Sequence, residues 1–180
     1  KAARAGFHQR FAEWLRKRAG EELLEVRAYH LDHATALLAE LDGSPPEKLA
    51  TEAAAALEEA GRRALAREAN ATARKLLVRA VELEPTVERR FQAARAAWRM
   101  SEFPVVSPEM QEVLRLARDA GDKDLEARSL AALAEVSILR EGDVSRGEEL
   151  AREALEVAER DESKVLALEV LNTVAWWRGR

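Results

Sequence analysis

The sequence predicts an all-α fold in which antiparallel helical hairpins stack in series. Three observations predict it. Hydrophobic residues make up 47% of the 180 residues but aromatic ones only 5%, and eight glycines with five prolines leave little material for strands and their turns. Apolar residues recur every three or four positions almost throughout, the period of a helix packed on one side. The interruptions fall where helix stop and start signals cluster.

Taken in order, residues 1–20 carry six basic groups (Lys1, Arg4, Arg10, Arg16, Lys17, Arg18) against Glu13 alone. They read as a solvated helix face beside an acidic partner segment, with Trp14 in the core of the first hairpin. Residues 22–41 form an amphipathic helix along Leu23, Leu24, Leu31, Ala34, Leu38 and Leu41, with Arg27 as the one break in the stripe. "DGSPPE" ends that helix at Gly43; Ser44 is a cap, Pro45 and Pro46 suit a first turn, and Glu47 completes an S-x-x-E box. Pro85 stops a later helix, Ser107 caps another ahead of Pro108, and "REGDVS" turns at Gly142 with Asp143 as cap. Breaks are therefore expected near 43–46, 67–71, 85–87, 101–107, 121–123, 142–144 and 161–163, giving about nine helices. No strand pattern is convincing.

An internal period organises these helices. Leu57, Ala60, Gly61, Ala64, Ala73, Leu77, Ala80 and Pro85 follow the spacing of a tetratricopeptide repeat, in which small residues bring the two helices of a hairpin close together. "AVEL" (80–83), "VLRL" (113–116) and "ALEV" (154–157) recur at separations of 33 and 41, and "AALAEVSILREGD" (131–143) aligns with the last thirteen residues at a separation of 37. Leu139 then matches Trp176, and Gly142 matches Gly179. The sequence thus reads as an N-terminal hairpin over 1–43 and about three and a half tetratricopeptide-like repeats over 44–180, stacked as a right-handed superhelix. The last repeat stops after its first helix. Trp176 and Trp177 are then expected to leave apolar surface that another chain covers, an oligomer through the C-terminal helix.

Composition excludes several function classes. A net charge of −4 gives no basic face for nucleic acid. There is no cysteine, hence no disulfide, thiolate nucleophile or zinc–thiolate site, which fits a cytoplasmic setting. No apolar run reaches the roughly 18 residues a membrane span needs.

With the repeats placed, "FHQRFAEWLRKRAGEELLEVRAYHLDHATALLAEL" (7–41), through His8, Arg10, Trp14, Leu15 and Tyr29-His30-Leu31, and "GRRALAREANATARKLLVRAVELEP" (61–85) resemble a region of large bacterial STAND-ATPase signalling proteins. In those proteins it follows the ATPase and leads into tetratricopeptide-like repeats, in ATPase-linked nucleotide cyclases and in LuxR-type transcription regulators. The resemblance implies an arm that receives partners for an ATP-binding parent protein; no G-x4-G-K-[ST] phosphate loop occurs in this chain.

The candidate site follows from the repeat register. Arg62 and Arg95 share one repeat position, Arg99 and Arg140 another, and Trp98 matches Leu65 and Leu139. Arginine forks recognise carboxylates, so Arg62, Arg95, Trp98, Arg99 and Arg140 are the expected partner-binding residues for an acidic protein segment. Surface pairing with glutamates is the ordinary alternative. His30 and His33, spaced i, i+3 with Asp32 between them, make no closed metal site, and His8 lacks a nucleophile to activate. Neither a cofactor nor catalysis is expected. The leading reading is a non-catalytic interaction and regulatory arm that contacts adjacent domains of its parent and a protein partner, with no membrane or nucleic-acid role. The alternative is a sensor holding a small effector between repeats.

Overall fold

A computed structural model describes residues 1–20 and 22–179. Among them the chain is all-helical: α1 (Ala2–Arg18), α2 (Leu24–Asp42), α3 (Glu47–Ala66), α4 (Asn70–Leu83), α5 (Val87–Arg99), α6 (Phe103–Ala120), α7 (Lys123–Val136), α8 (Val144–Val157) and α9 (Asp161–Trp177). A π-helical turn, Ser137–Glu141, follows α7 directly. No strand forms among the described residues, and no helix there is long and apolar enough to cross a membrane. The helices make two compact units, residues 1–96 and 97–180.

In the first unit each of α1 to α4 packs on its sequence neighbour. Alanine dominates the seams: Ala28, Ala34, Ala53, Ala60 and Ala80 are fully or almost fully buried beside Leu24, Leu31 and Leu57. Of the residues that carry the tetratricopeptide spacing, Leu57, Ala60, Gly61, Ala64, Ala73, Leu77 and Ala80 are all buried. The close approach expected of that hairpin is literal, because a Cβ built on Gly61 would stand 2.6 Å from Leu77 Cγ. The start of α5 is tied down by Arg89, a buried cation that donates to Glu58 of α3 at 2.9 Å, to the Glu84 carboxylate and to the Glu84 carbonyl. Arg27, the break in the α2 stripe, is half-buried and reaches Glu52 of α3 at 2.8 Å.

In the second unit α6 packs on α7, α7 on α8, and α8 and α9 on each other and on α7. Leu130, Ala134, Ile138, Ala151, Ala154, Ala167, Val170 and Val174 form its core. Glu126 is buried there, held by Arg118 at 2.8 Å and Lys123 at 2.9 Å. Burial alone would raise its carboxyl, but these two cations hold it below the usual range.

The internal period is visible in the backbone. α3, α5, the π-helical turn after α7, and α9 are each followed by a residue of positive φ: Glu68 (61°), Ser101 (58°), Gly142 (71°) and Gly179 (70°). Their separations, 33, 41 and 37, are those read from the side-chain pattern. The closing hydrogen bonds repeat as well: Ala69 N to Ala64 O at 2.9 Å recurs 33 residues later as Glu102 N to Ala97 O at 3.0 Å. Arg180, the last residue of the aligned segment, lies outside the described residues.

Four local expectations are corrected. Ser44 caps nothing, because each of two consecutive prolines forces extended backbone on the residue before it, and the helix begins only at Glu47. Ser107 is likewise inside a helix. α6 starts at Phe103 with Pro104 in its first turn, where no intrahelical donor is needed, and Pro108 forfeits only a bond to an exposed carbonyl. The last break lies at 158–160, and α9 already begins at Asp161. Trp14 is outside the core at 52% exposure, since the face of α1 turned to α2 is made by Ala5, Ala12 and Leu15. Asp143 does cap α8, accepting from Arg146 N at 2.9 Å. Asp122 caps α7 in the same way through Leu125 N at 2.9 Å.

Candidate interaction surfaces

The arginines singled out by repeat register divide between the two units. Arg62 and Arg95 belong to the first. Arg62 is exposed and already pairs with Glu59 one turn earlier on α3. Arg95 donates to Gln92 at 3.4 Å on its own helix. Glu58, one turn before Arg62 on α3, is engaged by Arg89.

Trp98, Arg99 and Arg140 belong to the second unit, and two of them touch a common ring, that of Phe103. Trp98, near the end of α5, lies edge-on to Phe103 at the start of α6, with centroids 5.0 Å apart at 67°. The guanidinium of Arg140 stands 5.6 Å from the centroid of the same Phe103 ring. Arg140 is carried by the π-helical turn, a geometry in which one extra residue re-aims side chains and which recurs at functional sites. Among the described residues neither Arg99 nor Arg140 has a carboxylate partner, and both are exposed. Leu139, beside Arg140, is 52% exposed. The sequence register found Trp98 and Arg140 but not Phe103, whose ring is the element that joins them.

A second surface is the outer side of α9. Val165, Leu166, Leu168, Trp176 and Trp177 are 40–73% exposed, and the two indoles pack edge-on against one another. In the register of 37, Leu168 and Leu171 match Ala131 and Ala134 of α7, which are buried in the core that α7 shares with α8. On α9 only Leu168 of the two is exposed; Leu171 packs partly against the same core.

The three histidines come together on α1 and α2, His8 joining the i, i+3 pair His30 and His33. His8 and His30 meet Nδ1 to Nδ1 at 2.8 Å, so one imidazole donates a proton that the other accepts. His33 stacks on His8 at 5.5 Å and donates to the Tyr29 carbonyl at 3.0 Å. Asp32 turns away to Arg79 of α4 at 2.6 Å. Among the described residues no group of three or more histidines or carboxylates is arranged to hold a metal ion. Burial first, then the neighbouring His33 and Arg4, hold His8 below its ordinary value of 6.5; burial, then His8 and His33, do the same for His30. The signal that joins the three was the spacing of His30 and His33 on one face, but nothing local pointed to His8.

Comparison of the chain with protein-family models, curated proteins and solved structures finds no match to any of them. The functional reading therefore rests on these surfaces.

The histidine contact sets a pH dependence whose sign is fixed. Both folded-state values lie below the unfolded value near 6.5, so the unfolded chain binds more protons in between. Their contribution to stability is complete above about pH 6.5 and is lost as pH falls through the folded values. Urea midpoints measured at pH 7.5, 6.5 and 5.5 should fall in that order, well above the range where carboxylates titrate. His30→Gln should flatten the profile; an unchanged slope would assign the effect to other groups.

Proposed function

We propose that the chain is a non-catalytic, cytoplasmic interaction and regulatory arm, made of tetratricopeptide-like hairpins stacked in a right-handed superhelix, within a larger ATP-dependent signalling protein or transcription regulator. It holds an acidic protein segment at Trp98, Arg99, Phe103 and Arg140. The observation that carries this reading is Arg140: an exposed cation on a π-helical turn, set over an aromatic ring, with no carboxylate among the described residues to satisfy its N–H fork. Phe103 and Trp98 shield one side from water, and a charge-assisted bond gains strength where water is excluded. Arg62 and Arg95 play the smaller part, since each already has a polar partner on its own helix. The outer side of α9 is a second place where another chain is received.

A small-effector site wants a largely apolar pocket with a few polar groups. One cavity of about 300 Å3, between α1 and the start of α3, has walls that include Glu13, Lys48 and Glu52 beside Leu31, Pro46 and Leu49.

Titration calorimetry with a library of Asp- and Glu-rich peptides tests the assignment. At least one peptide should bind, more weakly as salt rises, and Arg99→Ala with Arg140→Ala should cost more than tenfold in affinity. Phe103→Leu, which keeps apolar volume but removes the ring face, should weaken the same peptide. Affinity unchanged in the double variant would reduce these arginines to surface charge.

A further inference from the structure

We infer that the outward face of α1 docks an acidic amphipathic helix of a protein partner, at a site in the first unit separate from Arg140. α1 is turned inside out with respect to size. Its buried residues are Ala5, Ala12 and Leu15, whereas Phe7 and Trp14 are 56% and 52% exposed. Phe7, Phe11 and Trp14 stand at i, i+4 and i+7, and their rings form a ladder. Phe7 and Phe11 are 6.0 Å apart at 6°, and Phe11 and Trp14 are 5.6 Å apart at 14°. The ladder is backed by imidazole, because Phe11 also meets His30 edge-on at 4.7 Å. Two large rings left mostly in water, held in one stack through the half-buried Phe11, are costly unless something covers them.

The charges name the chemistry of what covers them. Arg4 and Arg18 continue the aromatic stripe at either end, at spacings of three and four residues, so the two ends are about 21 Å apart along the helix. Arg10 lies alongside, its guanidinium folded over Gly6. Among the described residues none of these three arginines has a carboxylate partner, whereas Lys1 pairs with Glu40 and both Arg16 and Lys17 pair with Glu13. An apolar ladder flanked by cations that no described carboxylate bonds, with Arg4 in the field of Glu40, is complementary to a helix with an apolar stripe at i, i+4, i+7 and carboxylates toward its ends. Side chains in single file fit the groove between the turns of a facing helix. A bilayer reads no register, and an anionic one would meet a chain whose net charge is −4.

The test uses the whole chain and two synthetic helical peptides of about 18 residues, roughly five turns. One carries leucines at i, i+4, i+7 and i+11 with glutamates at both ends; the other has lysines in place of the glutamates. A scrambled acidic peptide, vesicles of phosphatidylcholine with phosphatidylglycerol, and oligodeoxythymidine are the comparisons. The acidic helix should bind and shift tryptophan emission to the blue, and Trp14→Ser or Phe7→Ser, both at exposed positions, should weaken it more than tenfold. Arg4→Glu with Arg18→Glu should abolish binding of the acidic helix and create binding of the lysine-ended one. That exchange separates a docking site from a variant that merely unfolds, as does an unchanged circular dichroism spectrum. Equal binding of the scrambled peptide, no response to the charge reversal, or a preference for vesicles or oligonucleotide would overturn the proposal.

Discussion

Gly147→Ala should destabilise the chain, although alanine is the better helix former by about 1 kcal/mol. Gly147 lies buried in α8, where a Cβ would stand 2.3 Å from Ile138 Cγ1, 2.8 Å from Ile138 Cδ1 and 3.1 Å from the Ala134 carbonyl oxygen. Ile138 cannot step aside easily. It is itself buried, it is branched at Cβ, and it sits on the π-helical turn. The net loss should be roughly 1–2 kcal/mol for alanine and about 3 kcal/mol or more for leucine, whose extra atoms have no space at all. A thermal melt should show the leucine variant falling by about 10 °C. The sign decides the matter: a neutral or stabilised Gly147→Ala would mean that α8 does not approach α7 this closely.

Leu77→Ala should cost about 3 kcal/mol, because Leu77 has no exposed surface and fills the seam between α3 and α4. Its partner across the seam makes the experiment more informative than a single loss. Gly61→Ala alone should destabilise, since its Cβ would meet Leu77 Cγ at 2.6 Å and Cδ2 at 2.9 Å. In the Leu77→Ala background the same change enters the space just vacated and gains helix propensity, so it should stabilise. The coupling in this double-mutant cycle should exceed about 1 kcal/mol. Additive effects, measured by urea unfolding, would show that the two positions do not touch.

These two glycines also show why the hairpin at 54–87 could be read in advance and the site less well. Gly61 belongs to a spacing pattern, so its closeness to Leu77 followed from the pattern. Gly147 belongs to no such pattern, and only the packed unit shows Ile138 resting on it. The candidate site was legible in the same uneven way. Repeat register brought out Trp98 and Arg140, because register is a property of the chain. Phe103 was hidden by the expectation that Ser107 and Pro108 open the helix; α6 in fact begins at Phe103, where the side chain can meet Trp98.

What the chain determined by itself is what is carried within a few residues, namely the helical period, the glycine ends of the first and later hairpins and the aspartate cap at Asp143, together with the recurrence of such segments at 33, 41 and 37. The first three are short-range preferences of backbone and side chain, and each is complete in its own window. Only the tertiary structure decided which side of α1 faces water, and which charges neutralise one another. His8 finds His30 across 22 residues, Arg89 finds Glu58 across 31, and Arg79 finds Asp32 across 47. An arginine at one position has many carboxylates within its range of sequence, all chemically alike. The choice among them is made by how helices settle when alanines are driven into the seams, a sum over many weak contacts that no single window contains.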